Sequence, residues 1–191
     1  MAPVLTPDLR EEAERIKARY PRERSAIMPL LYLVQSVEGH ISREGLREVA
    51  ELLGITTAET EAVATFYTMF RKGPTGKHLI SVCTNLSCKL RGGGELYEDA
   101  KQALGPGCEG VTEDGMFTLH EEECLGACET APVVQVNFAN YDNATPELVA
   151  EIAAKLRAGE QSPSPSRGEL PADLRAASRL LAGLEPEEVA T

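Results

Sequence analysis

The chain has 191 residues, 42% hydrophobic and 26% charged, the balance of a soluble globular protein with room for one medium domain or two small ones. Its net charge of −11 opposes nucleic-acid binding, whose affinity comes largely from neutralised phosphates. No run approaches the roughly 18 apolar residues of a membrane span, and the N-terminus lacks the basic-then-apolar form of a signal peptide, so a cytosolic protein without membrane insertion is expected. In that reducing compartment the five cysteines point to metal or redox chemistry rather than to disulfides. The charge is uneven. Residues 1–72 carry a net −1, residues 73–160 a net −8 and residues 161–191 a net −2. The cysteine-bearing segment is the acidic one, which suits docking on a basic protein partner.

Residues 7–72 read as a helical bundle. Thr6 caps a first helix that begins at Pro7, and Leu9, Ala13, Ile16 and Tyr20 give it one apolar face before Pro21 ends it. A second helix over residues 25–38 is apolar nearly all round and is therefore expected to be buried, with Gly39 as its stop. The third follows Ser42 and ends at Gly54. Thr56 and Glu59 have capping-box spacing for a fourth, which carries Val63, Phe66, Tyr67 and Phe70. Gly73-Pro74-Thr75-Gly76 marks a boundary.

Beyond it the pattern changes. His78–Cys83 reads as a strand ending at the first cysteine. Gly92–Gly94 precede a helix through Leu104. Glu113-Asp114-Gly115 reads as a hairpin turn between Val111 and Met116–His120. Pro132 introduces a strand over Val133–Phe138, and Thr145-Pro146 starts a last helix that Gly159 ends. The expected fold class is α+β, with domains at residues 1–73 (helical), 74–159 (a small α/β layer structure) and 160–191 (a Pro/Ser-rich flexible linker and tail). Within the tail, residues 171–183 match a short amphipathic helix through Leu174, Leu180 and Leu181.

Four cysteines fall in two pairs, Cys83-x4-Cys88 and Cys124-x3-Cys128, with 35 residues between the pairs. Four thiolates from two loops suit a two-iron, two-sulfur cluster, in which each iron takes two protein ligands. The sulfurs of such a cluster accept hydrogen bonds, which the Leu86–Leu90 turn and the glycine run would supply through backbone N–H groups. The following helix adds a favourable dipole at its N-terminus, and Arg91 is a candidate charge partner. Glu121-Glu122-Glu123, just before Cys124, would lower the potential toward the plant-type value near about −400 mV. Cys108 has no partner at motif spacing and reads as a free thiol. His40, His78 and His120 are dispersed, with no Cys-x-His pair for a Rieske-type site. No Gly-x-Gly-x-x-Gly follows a strand, so nicotinamide binding is not expected here. Four cysteines also suit structural zinc, although these spacings fit a zinc ribbon less well. Residues 43–70 have the form of a helix-turn-helix, yet its second helix begins with acidic residues where a DNA reader needs donors.

Asp114-Gly-Met-Phe117-Thr118, then Cys124-Leu125-Gly126-Ala127-Cys128-Glu-Thr-Ala131-Pro132, resembles the signature of the thioredoxin-like two-iron subunit of NADH:quinone oxidoreductase, respiratory complex I, of the NuoE type. Val82-Cys83 through Cys88, followed by Arg91-Gly92-Gly93, is similar to that family's first loop, and Ala64–Phe70 to its helical domain. The resemblance covers roughly residues 8–158. It implies a thioredoxin-like [2Fe-2S] ferredoxin domain after the helices, with Cys83, Cys88, Cys124 and Cys128 as the ligands of one [2Fe-2S] cluster. It implies docking on a larger subunit that binds NADH and FMN, among other peripheral-arm subunits, on the inner face of the cell membrane. It implies single-electron exchange with that flavin and no activity from the chain alone. Similar subunits serve NAD-linked hydrogenases and formate dehydrogenases.

Overall fold

In the computed structural model, residues 3–185 are described. They divide into two compact units: residues 3–74 with 174–185, and residues 75–173.

The first unit is helical. Helix α1 (Pro7–Lys17) starts under the Thr6 hydroxyl, which accepts from the Leu9 amide. It buries Ala13 and Ile16, but it stops before Tyr20, which is left partly exposed. One turn of 3₁₀ helix (Glu23–Ala26) leads into α2 (Ile27–Glu38), so the expected second helix begins two residues late. Helix α2 is buried on most of its surface, as its sequence requires, and Gly39 ends it in the left-handed conformation at φ 76°. Helix α3 (Arg43–Leu53) runs between Ser42 and Gly54, both in their capping roles. Helix α4 (Thr57–Phe66) opens with the complete capping box of Thr56 and Glu59. It ends at Phe66, which is 77% exposed, while Phe70 turns back into the core against Tyr32.

Two polar residues organise this apolar unit. Glu48 on α3 is fully buried, and its carboxylate accepts from the Val4 and Leu5 amides at 2.8 and 3.0 Å and from Arg10 at 3.2 Å. Gln35 on α2 is equally buried. It donates to the Met69 carbonyl and to Ser178, and it accepts from the Arg71 amide.

The second unit holds a four-stranded mixed sheet in the order β2-β1-β3-β4. Strand β1 (His78–Cys83) leads through a short helix α5 (Leu86–Leu90) and α6 (Gly93–Leu104) to β2 (Phe117–Glu122), which lies parallel to β1 with Cys83 opposite Glu122. Strand β3 (Val134–Val136) is antiparallel to β1 and turns into β4 (Ala139–Tyr141). Helix α7 (Pro146–Ala158) is capped by Thr145 and packs with α6 on the core formed by Ile80, Val82, Phe117, Leu119, Val134 and Val136. Side chains alternate along a strand, so Cys83 points away from Val82 and joins a separate small cluster with Cys88, Ala127, Ala131 and Val133.

Two expectations fail in this unit. No strand forms at Val111, although residues 108–112 run along the free edge of β2, where the Leu119 amide donates to the Cys108 carbonyl and the Thr112 amide to the Phe117 carbonyl. The Glu113–Gly115 turn closes instead through Thr112, whose hydroxyl accepts from the Phe117 amide at 2.9 Å. The strand expected over Val133–Phe138 is a hairpin, with Asn137 and Phe138 at φ 50° and 69° forming its two-residue turn. Asn137 suits that left-handed turn, but a phenylalanine there gives no turn signal to read.

The segment expected to be a linker and tail is placed in detail up to Glu185; its last six residues lie outside the described ones. Residues 160–173 run along the second unit. The Tyr141 hydroxyl donates to the Pro163 carbonyl, the Ser166 amide donates to the Asn140 carbonyl, and Arg167 meets Asp142 and Glu129. Helix α8 (Leu174–Leu181) belongs to the first unit. It buries Leu174, Ala177 and Ser178 against α2, and Arg179 grips Glu12 of α1 through both guanidinium NH groups at 2.6 and 3.0 Å.

Candidate metal centre

Two loops at the C-terminal ends of β1 and β2 carry the four paired cysteines. The first follows β1 directly. Cys83 is the last residue of the strand and is buried. Asn85 accepts from the Leu86 amide and starts α5, whose five residues turn Cys88 inward and leave Leu86 and Leu90, one helical turn apart, 68% and 79% exposed. Gly92, at φ 89°, breaks the path between α5 and α6, a conformation that costs a glycine little.

The second loop follows β2. The Thr84 amide donates to the Glu122 carbonyl, and the Cys83 thiol lies 3.6 Å from the Glu123 carbonyl oxygen, so the two loops are tied together where they leave the sheet. Cys124 is exposed on this loop. After Gly126 (φ 73°) and the buried Ala127, Cys128 opens a turn of 3₁₀ helix (Cys128–Thr130) and is also exposed. The Ala131–Pro132 peptide is cis, and the chain then enters β3.

Cys83, Cys88 and Cys128 share one neighbourhood. Burial first, then the hydrogen bond with Cys83, push the Cys88 thiol up to about 11, with the charges of Cys83 and Cys128 adding to the rise. Among the described residues, no three His, Cys, Asp or Glu side chains gather closely enough to surround one metal ion. A two-iron cluster divides its four thiolates between two irons, so its ligands need not converge on one point. The donor set fits such a group: two buried thiols from one loop and two exposed thiols from a facing loop tied to it, with iron charge offsetting the cost of ionising a buried sulfur.

Of the other candidate residues, Cys108, His78 and His40 are held by partners of their own, while the acidic run and Arg91 lie on the two loops. Cys108 is buried in the main core beside Leu104 and Leu119, its thiol 3.9 Å from the Lys101 carbonyl, and burial raises its pKa. His78 is buried and bonded to Asn137, and His40 lies against the Glu38 carbonyl. Of the acidic run, Glu121 accepts from the Thr84 hydroxyl and Glu122 pairs with His120 at 3.0 Å. Arg91 is exposed at the end of α5. The two exposed leucines of α5 carry no signal in the sequence, where Leu86–Leu90 reads only as a turn; five residues are too few to show a helical period.

Residues 13–157 match the model of the thioredoxin-like [2Fe-2S] ferredoxin family, and the chain belongs to that family. Its cofactor is one [2Fe-2S] cluster. More particularly, the chain is 46% identical over 176 residues to an NADH-quinone oxidoreductase subunit of Mycobacterium tuberculosis, covering 92% of this chain and 69% of that one. It is 45% identical over 157 residues to NADH-quinone oxidoreductase subunit 2 of Thermus thermophilus, covering 81% and 87%. Among solved structures, the NAD+-reducing [NiFe]-hydrogenase in its H2-reduced state shares the fold, with a TM-score of 0.61 at 18% identity, over 71% of this chain and 23% of that one.

Proposed function

We propose that this chain is the electron-carrying [2Fe-2S] subunit of the NADH dehydrogenase module of an NADH:quinone oxidoreductase, with Cys83, Cys88, Cys124 and Cys128 holding the cluster. The observation that supports this most is the pairing of the two cysteine loops at one end of a parallel strand pair, in a chain whose relatives bear that enzyme's name. When bound, the cluster supplies a one-electron carrier, whereas NADH yields two electrons together as hydride, so a flavin on a partner subunit stands between them. The residues of this chain divide the remaining work. Cys83 and Cys88 anchor the site in a dry pocket with Ala127, Ala131 and Val133, where local dielectric and amide hydrogen bonds set the potential. Cys124 and Cys128, both exposed, keep the other side near the surface, where a flavoprotein docks.

In this reading the chain is not a catalyst by itself. It works on the cytoplasmic side, held to the inner face of the cell membrane by its complex; no described helix is long and apolar enough to cross a membrane. The alternative is a subunit of an NAD-linked hydrogenase or formate dehydrogenase; the hydrogenase shares the fold, at a much lower identity than the NADH-quinone oxidoreductase subunits.

The test is low-temperature EPR on anaerobically purified chain, first alone and then mixed with the flavin-bearing subunit. The expected protein is red-brown and EPR-silent when oxidised, gives a rhombic spin-half signal with dithionite, and is reduced by NADH only in the mixture. A colourless protein with one zinc and no iron would sink the proposal, as would NADH reduction of the isolated chain.

A further inference from the structure

We infer that Gly93 is a positioning residue for the cluster: its missing side chain leaves the space in which the backbones of Cys83 and Cys88 come together. This rests on the assignment of those two cysteines as ligands. A β-carbon placed on Gly93 would lie 2.7 Å from the Cys83 carbonyl oxygen and 2.9 Å from both the carbonyl carbon and the carbonyl oxygen of Cys88. Real β-carbons essentially never approach that closely, and all three obstructing atoms are backbone, so no rotamer change relieves the contact. All three belong to the backbones of two cysteines from one pair.

The glycine is present for room, not for backbone freedom. Its φ lies outside the left-handed region, and that requirement falls on Gly92 instead, at φ 89°. Gly93 is the buried first residue of α6, and α6 is anchored by Leu96, Ala100 and Leu104 in the main core. The helix therefore resists retreat, and an added methyl displaces the Cys83 and Cys88 loop. That glycine also begins a helix with no side-chain cap on its first turn, which puts the positive end of α6 against the two cysteines. A thiolate gains from that end only while the close approach is kept.

Two other glycines make matched controls. Gly94, the next residue, has nothing within 4 Å of its would-be β-carbon. Gly76 is as crowded as Gly93, with Phe117 backbone atoms at 2.5 to 2.8 Å, but it sits beyond the His78 end of β1, at the opposite end of the strand from Cys83.

The experiment compares wild type, Gly93→Ala, Gly94→Ala and Gly76→Ala as full chains purified anaerobically with their cluster. It reads retention of iron against a chelator, the EPR g values after dithionite and the midpoint potential, together with thermal unfolding and far-UV circular dichroism of each apo form. Gly93→Ala is expected to shift the g values and the potential and to weaken iron retention roughly tenfold, the lower end of what loss of a supporting contact costs a metal site. Gly94→Ala keeps the Gly94 backbone N–H and should leave iron retention, g values and potential at the wild-type values, with a melting temperature equal to or slightly above wild type because alanine loses less backbone entropy on folding. Gly76→Ala should lower the melting temperature and leave the spectrum of its cluster unchanged. A Gly93→Ala protein with the wild-type spectrum, potential and retention overturns the inference. So does one whose apo form no longer folds, because the glycine would then serve the domain and not the site. Cys83→Ser or Cys88→Ser proteins that keep the wild-type signal would instead overturn the ligand assignment, a result read independently of Gly93.

Discussion

Cys88 concentrates the chemistry of the first loop in one side chain. Its thiol is hard to ionise because it is buried beside Cys83, and a buried thiolate gains stability only when a cation accompanies it. Cys88→Ser is therefore expected to lose the cluster, while Cys108→Ala keeps it at a stability cost of about 1 kcal/mol for a small core cavity. Iron content per chain and the reduced EPR signal decide; a Cys88→Ser protein with full iron sinks the assignment. Spacing singles out the four paired cysteines in the sequence as the candidate ligands, since two close pairs of thiolates are a soft donor set suited to a metal centre. The burial of one pair and exposure of the other were not legible, because they depend on which face of β1 and α5 each cysteine occupies.

His78 carries a second residue-scale consequence. Burial above all, aided by the charge of Lys77, lowers its pKa to about 4 from the usual 6.5, so the folded chain holds it neutral. Between those two values the unfolded chain binds the extra proton and the folded chain does not, so stability is full above pH 6.5 and declines as the pH falls toward 4. Melting temperatures of the wild-type apo protein should fall between pH 7 and pH 5 more steeply than those of His78→Phe. Parallel curves would show that the imidazole is not held neutral.

At the level of elements, the caps were the most legible feature. Thr6, Ser42, Thr56 and Thr145 each accept from an amide of the first turn that they precede. A cap is a local device and can be read without the rest of the fold. The hairpin at Asn137–Phe138 and the missing strand at Val111 were illegible for the opposite reason: the first depends on β3 pairing with β1 as well as with β4, the second on β2 lying at the edge of the sheet. Helix α8 lies between these cases. Its apolar spacing was visible, but its partner was not, because Gln35 in the middle of α2 gives no sign that it bonds Ser178 more than a hundred residues on. Ser178→Ala leaves a Gln35 donor unpaired in a buried site and should cost about 1–3 kcal/mol. Removing residues 174–191 should lower the melting temperature further, since α8 also buries Leu174 and Ala177 and holds Glu12. Unchanged unfolding of the truncated chain would show that α8 adds nothing to the helical unit.

For the molecule as a whole, the two kinds of periodicity set out the order of the chain, helices first and a mixed sheet after, and the long motif around Cys124 pointed to the family. The course of residues 160–185 was out of reach. A Pro/Ser-rich stretch has the same composition whether it is loose or pinned, and the contacts that pin this one, Tyr141 to Pro163 and Asn140 to Ser166, come from β4.

The path of α8 sets an order of events during synthesis. The helical unit is continuous in space but split in sequence, with residues 75–173 emerging between its two parts. Those intervening residues hold all four paired cysteines, and they are complete before α8 leaves the ribosome. The helical unit, although translated first, is therefore completed last, when α8 reaches its groove on α2.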